Sequence, residues 1–428
     1  MIFVFCFFAA ALVFLSYKSF RGGIEYLNFF RRELARPASD FAPLVSVIAP
    51  CRGLDQDLEI NLSALFRQDF PCYELIFVVD SERDAAVPVI EKLIFREGAE
   101  AQRSLEESSA ARRLGGTKLV VAGKAENESQ KVHNLREAVL HADGDSEIFV
   151  FVDSDARPSR DWLRSLIAPL RDEKIGAATG YRWFIAKKFG FASEMRSVWN
   201  ASIASALGAN AKSNFCWGGS MALRRATFEK IEMREKWRGT LSDDFAVTRA
   251  LSEAGLPIHF VPQALTASVE NCSWRECLEF TTRQMKITRI YAPRLWKMSF
   301  IGAAVFNLVW IWGVFNMIFH PADSFPFRFS LAALLLVAIF SAAKSWLRLN
   351  AVRLVLKDHE RALRKQFWTQ NTLWILTPAL FFYNSLCALL SRRIVWRGIG
   401  YELVSPRETI ISNENTTNKR RSSSDNVS

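Results

Sequence analysis

At 428 residues the chain exceeds one small domain, and half of its residues are hydrophobic. Its net charge of +11 suits a partner such as anionic lipid or a phosphorylated ligand. Nucleic acid would attract the same sign, but no binding motif and no basic stripe interleaved with aromatics is present, so nucleic acid is excluded as a partner. The seven cysteines are odd in number and scattered, with neither zinc spacing nor a disulfide framework, as expected on a reducing face.

Four stretches lack charge: Ile2–Tyr17, Ser299–Phe319, Phe329–Ala343 and Asn371–Ser391. The second and fourth are long enough to cross a hydrocarbon core, while the first and third are of marginal length. Fully apolar helices also occur in protein cores, but four in one chain, three of them in its last third, favour a membrane. The first lacks a basic leader and a small-residue cleavage site, so a retained anchor at 1–20 is preferred over a signal peptide. Lys18, Arg21, Arg31, Arg32 and Arg36 follow it and predict a cytoplasmic central region.

After a polar linker, Val45–Ala49 reads as a buried strand stopped by Pro50-Cys51-Arg52-Gly53, with a helix over Leu58–Arg67. Tyr73–Val79 is a second strand ending at Asp80, followed by a helix over Val87–Phe95. The charged stretch Glu97–Arg113 reads as an exposed insertion. Leu119–Ala122 is a third strand, and Gln130–His141 a helix carrying Lys131 on its first turn. A fourth strand, Ile148–Val152, runs into Asp153-Ser154-Asp155. Alternating strands and helices predict a mostly parallel α/β sheet covered on both faces, with ligands outside the strand carboxyl ends. Pro50–Gly53, Asp80 and Asp153–Asp155 all fall at such ends.

Two carboxylates one residue apart at a strand end can share a face and, with a diphosphate, hold a hard divalent ion. The alternative is that one caps a helix starting near Ser159 and the other is solvated in a turn. Further on, Ile175–Tyr181 reads as a strand running into Trp183, and Phe189–Ala209 as a semi-apolar helix. Gly218-Gly219 either lets backbone approach a ligand closely or makes a tight turn. Asp243-Asp244 precede a helix over Ala246–Ala254, and two adjacent acids need not both be caps. Trp274–Trp296, with Arg283, Lys286, Arg289 and Arg294 among apolar residues, reads as an interfacial helix. Pro378 sits within the fourth apolar stretch, which either spans or re-enters, and the polar end from Ser412 reads as disordered.

In this order, Asp80, Asp153-x-Asp155, Gly218-Gly219, Asp243-Asp244 and the basic helix resemble a membrane-integrated family 2 glycosyltransferase of the GT-A fold. The Pro50–Asp55 start, Asp-Asp-Phe at 243–245 and Trp396-Arg397-Gly398…Tyr401 resemble its ceramide-glucosyltransferase-like branch. The resemblance covers about 40–405. It implies a catalytic domain at 40–272, an interfacial helix at 273–297, a membrane region at 298–395, a cytoplasmic segment at 396–410 and a tail at 411–428.

The resemblance also implies roles. Asp80 contacts the nucleotide, Asp153 and Asp155 hold Mg²⁺ or Mn²⁺ on a UDP-sugar, and Asp244 is the general base beside Asp243. Lys131, Gly218, Gly219, Arg283 and Lys286 complete the donor site. The expected reaction is inverting transfer of a hexose, glucose first, to a lipid such as ceramide or diacylglycerol in the bilayer. Arg283-Gln284-Met285-Lys286-Ile287 departs from the family's (Q/R)-x-x-R-W: Lys lacks the bidentate fork of Arg, and the Trp is absent. That departure counts against a processive polysaccharide synthase. An inactive scaffold of the same fold is the other alternative, and it is expected to lack one of the acids that are all present here.

Overall fold

The computed structural model of the chain describes residues 2–107 and 113–412. In chain order the elements begin with α1 (Ile2–Leu34), β1 (Val45–Pro50), α2 (Leu58–Phe66), β2 (Cys72–Val79), α3 (Val87–Glu107) and β3 (Arg113–Val121). There follow α4 (Gln130–Ala138), β4 (Ile148–Phe151), α5 (Trp162–Ile167), β5 (Ala177–Thr179), β6 (Arg182–Ile185) and α6 (Phe191–Ala204). Next come β7 (Met221–Arg224), α7 (Arg225–Lys230), α8 (Met233–Lys236), α9 (Asp243–Glu253), β8 (Ile258–Phe260) and β9 (Thr266–Val269). The last helices are α10 (Trp274–Tyr291), α11 (Pro293–Phe319), α12 (Phe325–Val355), α13 (Glu360–Thr372) and α14 (Thr377–Leu390). Three strands close the described chain: β10 (Arg393–Trp396), β11 (Ile399–Ser405) and β12 (Glu408–Ser412).

The chain forms two compact units. The sheet unit comprises Ala38–Tyr181, Ala211–Thr266 and the chain from Ser391. Its seven strands run β3-β2-β1-β4-β7-β5-β8, mixed but mostly parallel, with β7 antiparallel to both neighbours. Every residue of β1 and β4 is buried, so β4 reads as an unbroken apolar run and β1 as one interrupted only by Ser46, whose hydroxyl donates to Glu74. Alternate side chains serve opposite faces. Ile48, Ile76 and Val78 share a core with Val132 and Leu135 of α4, while Phe77 stacks on Phe66 of α2 at 5.8 Å.

Several elements differ from the sequence reading. The Val87 helix continues to Glu107, so the described part of the charged stretch extends a helix before β3. The strand expected over 175–183 is two strands in different sheets. It breaks at Gly180, where a Cβ would collide with the Ala264 carbonyl. β7, β8 and the antiparallel β10-β11-β12 sheet had no counterpart in the sequence reading. The polar tail from 413 lies outside the described residues.

The helical unit comprises the chain up to Pro37, Arg182–Asn210 and Ala267–Leu390. Among the described residues, α1, α11 and α12 are long and apolar enough to cross a membrane, one near the N-terminus and two in the last third. Phe5 and Leu12 of α1 pack with Val309, Leu334 and Val337. Gly23 of α1 lets Lys344 and Leu347 of α12 approach closely. The stretch around Asn371–Ser391 is a pair of helices, Lys357–Ile375 and Thr377–Leu390, bent by 60° as a broken span or a re-entrant loop. Pro378 falls in the first turn of α14, where its missing N–H costs no hydrogen bond. In α6, Trp199 stacks on Phe381 at 4.9 Å. Gln366 accepts from Trp183 Nε1 and donates to the Phe184 carbonyl, both at 2.9 Å.

Candidate active site

The carboxyl ends of β2 and β4 carry Asp80, Asp153 and Asp155, the start of α9 carries Asp243 and Asp244, and long-range ion pairs and hydrogen bonds tie them to the rest of the sheet unit. β4 stops at Phe151, so Asp153 and Asp155 lie in the turn beyond it, where the Ala156 N–H donates to the Asp153 carbonyl at 3.1 Å. They face different partners. Asp153 Oδ1 lies 2.7 Å from Lys131 Nζ. Asp155 lies close enough to Asp55 and Arg397 for its charge to act on both. Ser154 between them donates to Asp55 Oδ2 at 2.6 Å. The helix expected near Ser159 begins at Trp162, and neither acid caps it.

Lys131 sits on the first turn of α4, a helix capped by Ser129, whose hydroxyl accepts from Val132 N–H at 3.2 Å. Its ammonium lies between Asp153 and Asp243, 3.1 Å from Asp243 Oδ2. Burial would lower this ammonium, yet Asp153, Asp243 and Asp244 hold it above its ordinary value. Asp243 is only 2 % exposed. Burial pushes its carboxyl up to about 6, with Lys131 opposing and Asp244 and Asp153 adding to the rise. Gly218 is explained by the same pair, because a Cβ there would strike Asp243 and Lys131. Gly219 faces the Trp217 ring just as closely.

α9 begins at Asp243 itself, three residues before the expected start, so both acids occupy its first turn, where the helix dipole favours negative charge. Asp244 is oriented by three donors: the Ser242 hydroxyl, Phe245 N–H at 2.7 Å and Gly218 N–H at 3.4 Å. Asp80, at the end of β2, is paired with Arg52. Burial raises the Asp80 carboxyl above its ordinary value, Arg52 opposes, and Asp84 adds to the rise. Asp84 in turn accepts from Gly53 N–H at 2.9 Å and Ala86 N–H at 2.8 Å.

Three site residues escaped the sequence reading. Arg52 and Asp55 lie in the Pro50–Asp55 segment, and Arg397 in the Trp396-Arg397-Gly398 segment, but none had been given a role. Arg397 reaches Asp55 Oδ1 at 2.7 Å and donates to the Arg52 carbonyl at 2.7 Å. Burial raises the Asp55 carboxyl, Arg397 opposes this, and Asp155 adds to it. Acidic residues beside Arg at a strand end were the available signal; the pairing itself spans most of the chain. Arg283 and Lys286 lie on α10, which belongs to the helical unit. There Arg283 lies over the Phe280 ring at 5.6 Å, and burial lowers the Lys286 ammonium.

Among the described residues no three His, Cys, Asp or Glu side chains gather as a metal cage. The donor chemistry nevertheless fits Mg²⁺ or Mn²⁺. Both take hard oxygen ligands, and Mg²⁺ typically needs only one or two carboxylates when a substrate phosphate completes its shell. Asp153 and Asp155 are such a pair, separated by one residue in a turn and both half-buried.

The sequence model of glycosyl transferase family 21 matches residues 3–409, in keeping with the resemblance drawn from the motifs. A ceramide glucosyltransferase of Komagataella phaffii is 32% identical over 76 residues, 18% of this chain and 15% of that relative. The matched segment therefore spans about a seventh of the curated relative's length. Among solved structures, the mannosyltransferase PcManGT from Pyrobaculum calidifontis, in complex with GDP-Man and Mn²⁺, aligns at a TM-score of 0.39 and 18% identity, covering 89% of this chain and 99% of that one. S. aureus TarS 1–349 in complex with UDP aligns at 0.35 and 12% identity, covering 85% and 97%.

Proposed function

Because the chain belongs to glycosyl transferase family 21, we infer that it moves a sugar, glucose first, from a UDP-sugar to a hydroxyl of a membrane lipid such as ceramide or diacylglycerol. The observation that carries this reading is the gathering of Asp153, Asp243 and Asp244 around Lys131, with Asp80 and Asp155 at neighbouring strand ends linked through Arg52, Asp55 and Arg397. Acids gathered there are costly unless a cationic or hydroxylic ligand uses them. Helices of membrane-spanning length in the same chain favour a lipid acceptor over a soluble one.

The division of labour follows from the contacts. Attack by an alcohol on the anomeric carbon needs a base to take its proton as the bond forms. Asp244 is suited to that role, its carboxylate oriented by Ser242, Phe245 and Gly218. Inversion follows from a single in-line displacement. Departure of the nucleoside diphosphate builds negative charge that fixed cations must meet. Lys131, held by Asp153 and Asp243, supplies one such charge. Asp80 would contact the nucleoside. Asp153 and Asp155 would hold Mg²⁺ or Mn²⁺, which when bound offsets diphosphate charge.

We place the sheet unit on the cytoplasmic side. Its support is the run of Lys18, Arg21, Arg31 and Arg32 in the second half of α1 and of Arg36 just after it.

The test is transfer by the purified full-length protein in detergent, with a panel of UDP-sugars, Mg²⁺ or Mn²⁺, and extracted lipids. Metal-dependent labelling of a lipid, lost in Asp244→Asn, is the expected result. A high-molecular-weight sugar product would mean polymerisation instead. Folded protein that neither turns over nor binds a nucleoside diphosphate would sink the enzyme reading in favour of the scaffold.

A further inference from the structure

Arg397 sits at the tip of a two-residue hairpin turn, between the paired residues Trp396 and Ile399. Both turn residues are left-handed, Arg397 at φ 49° and Gly398 at 77°. Glycine is at home there, but an arginine in that conformation is strained, and strain of this kind concentrates at functional positions. The tip is firmly seated on the sheet unit. Arg397 donates to the Arg52 carbonyl at 2.7 Å, and Arg52 Nε donates back to the Arg397 carbonyl at 3.3 Å. Tyr401 of the same hairpin accepts from the Gln130 N–H at 3.1 Å, one residue before Lys131. Gly239 faces the Arg407 carbonyl too closely for any side chain.

The acids here outnumber the cations. Asp55, Asp80, Asp153, Asp155, Asp243 and Asp244 are met by Arg52, Lys131 and Arg397. A diphosphate adds further negative charge and needs a cation able to turn toward it. Lys131 can meet it only from its fixed place between two acids and is 15% exposed. Arg52 is held against Asp80. Arg397 is 34% exposed, is ion-paired with Asp55, and uses two of the five donors on its planar fork.

We propose that Arg397 is a positioning residue for the donor's diphosphate, presented by the C-terminal hairpin and parked on Asp55 until the nucleotide arrives. The inference rests on the transferase reading and adds to it that chain beyond the last membrane-region helix builds part of the donor site. It is tested on the full-length protein in detergent with Mn²⁺, comparing wild type, Arg397→Ala and Arg397→Lys. UDP and GDP are titrated by calorimetry and uridine by ligand-observed NMR. Arg397→Ala is expected to weaken UDP at least tenfold while leaving uridine affinity unchanged, with Arg397→Lys intermediate. A purely structural strut would instead lose UDP and uridine together with a lower melting temperature, and that outcome overturns the proposal. So does Arg397→Ala binding UDP as tightly as wild type, which leaves the transferase reading intact. Wild type that binds neither nucleotide overturns both.

Discussion

Buried charge at the candidate site of the sheet unit and on α12 of the helical unit is handled differently, although Arg196 of α6 in the helical unit does pair with Glu270 at 3.0 Å. In the sheet unit the strand-end acids are met by full cations: Lys131 for Asp153 and Asp243, Arg52 for Asp80, Arg397 for Asp55. In the helical unit, Arg348 of α12 is 4% exposed, and its hydrogen bonds go to neutral groups: Ser205 Oγ at 3.4 Å, Ser345 Oγ at 3.4 Å and Gln370 Oε1 at 3.2 Å. Lys344 likewise reaches the Ser19 hydroxyl at 2.8 Å. An ion pair can be exchanged, because an incoming ligand charge can replace either partner. A lone charge solvated by fixed dipoles offers nothing to exchange and serves to fix geometry. The first arrangement suits a site that must accept and release a diphosphate, and the second suits a scaffold. Charge deletions should therefore reduce catalysis in the sheet unit and stability in the helical unit.

The largest effect tests the catalytic half of that contrast. Asp244→Asn keeps the shape and most hydrogen bonds of the first turn of α9 but removes the base. Transfer should fall by about 10³-fold, within the ~10²–10⁴ range of general-base catalysis, while the melting temperature stays near that of wild type. A kcat within tenfold of wild type would remove Asp244 from the base role.

Next in size is a helical-unit change. Gln370→Leu takes an acceptor from the buried Arg348 guanidinium and a donor from Ser197 at 3.2 Å. A hydrogen bond to a buried charge contributes ~1.5–3 kcal/mol, so a loss of about 2–3 kcal/mol is expected in detergent melting. Nucleotide affinity of the folded protein should stay unchanged. Weaker UDP binding with undiminished stability would erase the distinction between the two units.

How much of this was legible in the chain depended on the range of the interactions. β1, β2 and β4 were readable because both faces are buried and the side chains alone announce it. β7, Met-Ala-Leu-Arg, was not, since four residues without a β-branched side chain carry no strand signal; its pairing with β4 and β5 makes it one. Asp153, Asp155, Asp243 and Asp244 were visible as acids at element ends. Their division between Lys131 and the Arg397–Asp55 pair was not, because each contact joins distant segments. Gly218 and Gly219 were noticed for closeness to a ligand, yet the space each leaves is taken by Asp243, Lys131 and Trp217. The β10–β12 sheet was hidden because 396–410 read only as a cytoplasmic segment and its three strands are short.

A smaller effect probes that glycine. Gly218→Ala places a methyl against the Lys131–Asp243 pair without altering a charge. Moving the ammonium from a diphosphate by a fraction of an ångström should cost about tenfold in kcat/KM, ~1.4 kcal/mol. Steady-state kinetics at saturating and limiting donor would read it. Unchanged kinetics would mean that Lys131 does not act on the donor.

The smallest effect is a pH dependence in the sheet unit, away from the strand-end acids. His133 Nδ1 lies 3.2 Å from Glu128 Oε1 and Nε2 lies 3.0 Å from the Ala122 carbonyl. An acceptor at each nitrogen favours the imidazolium form over the neutral ring. The Glu128 hydrogen bond raises the His133 pKa, against the opposing effect of burial. Burial would raise Glu128, but bonds from His133, Arg136 and the Gly239 N–H outweigh it and lower its carboxyl. The signs are opposite. The His133 contribution is complete below its unfolded value of 6.5 and fades as pH rises through the raised folded value. The Glu128 contribution is complete above 4.5 and fades as pH falls through the lowered one. Melting should therefore be most favourable between those limits and decline above neutrality. His133→Gln should flatten the decline above pH 6.5, read as melting temperature against pH. A decline as steep in His133→Gln as in wild type would move the pH sensitivity to another group. Were the same substitution also to change UDP affinity, exchangeable charge would extend beyond the strand ends to the far side of α4.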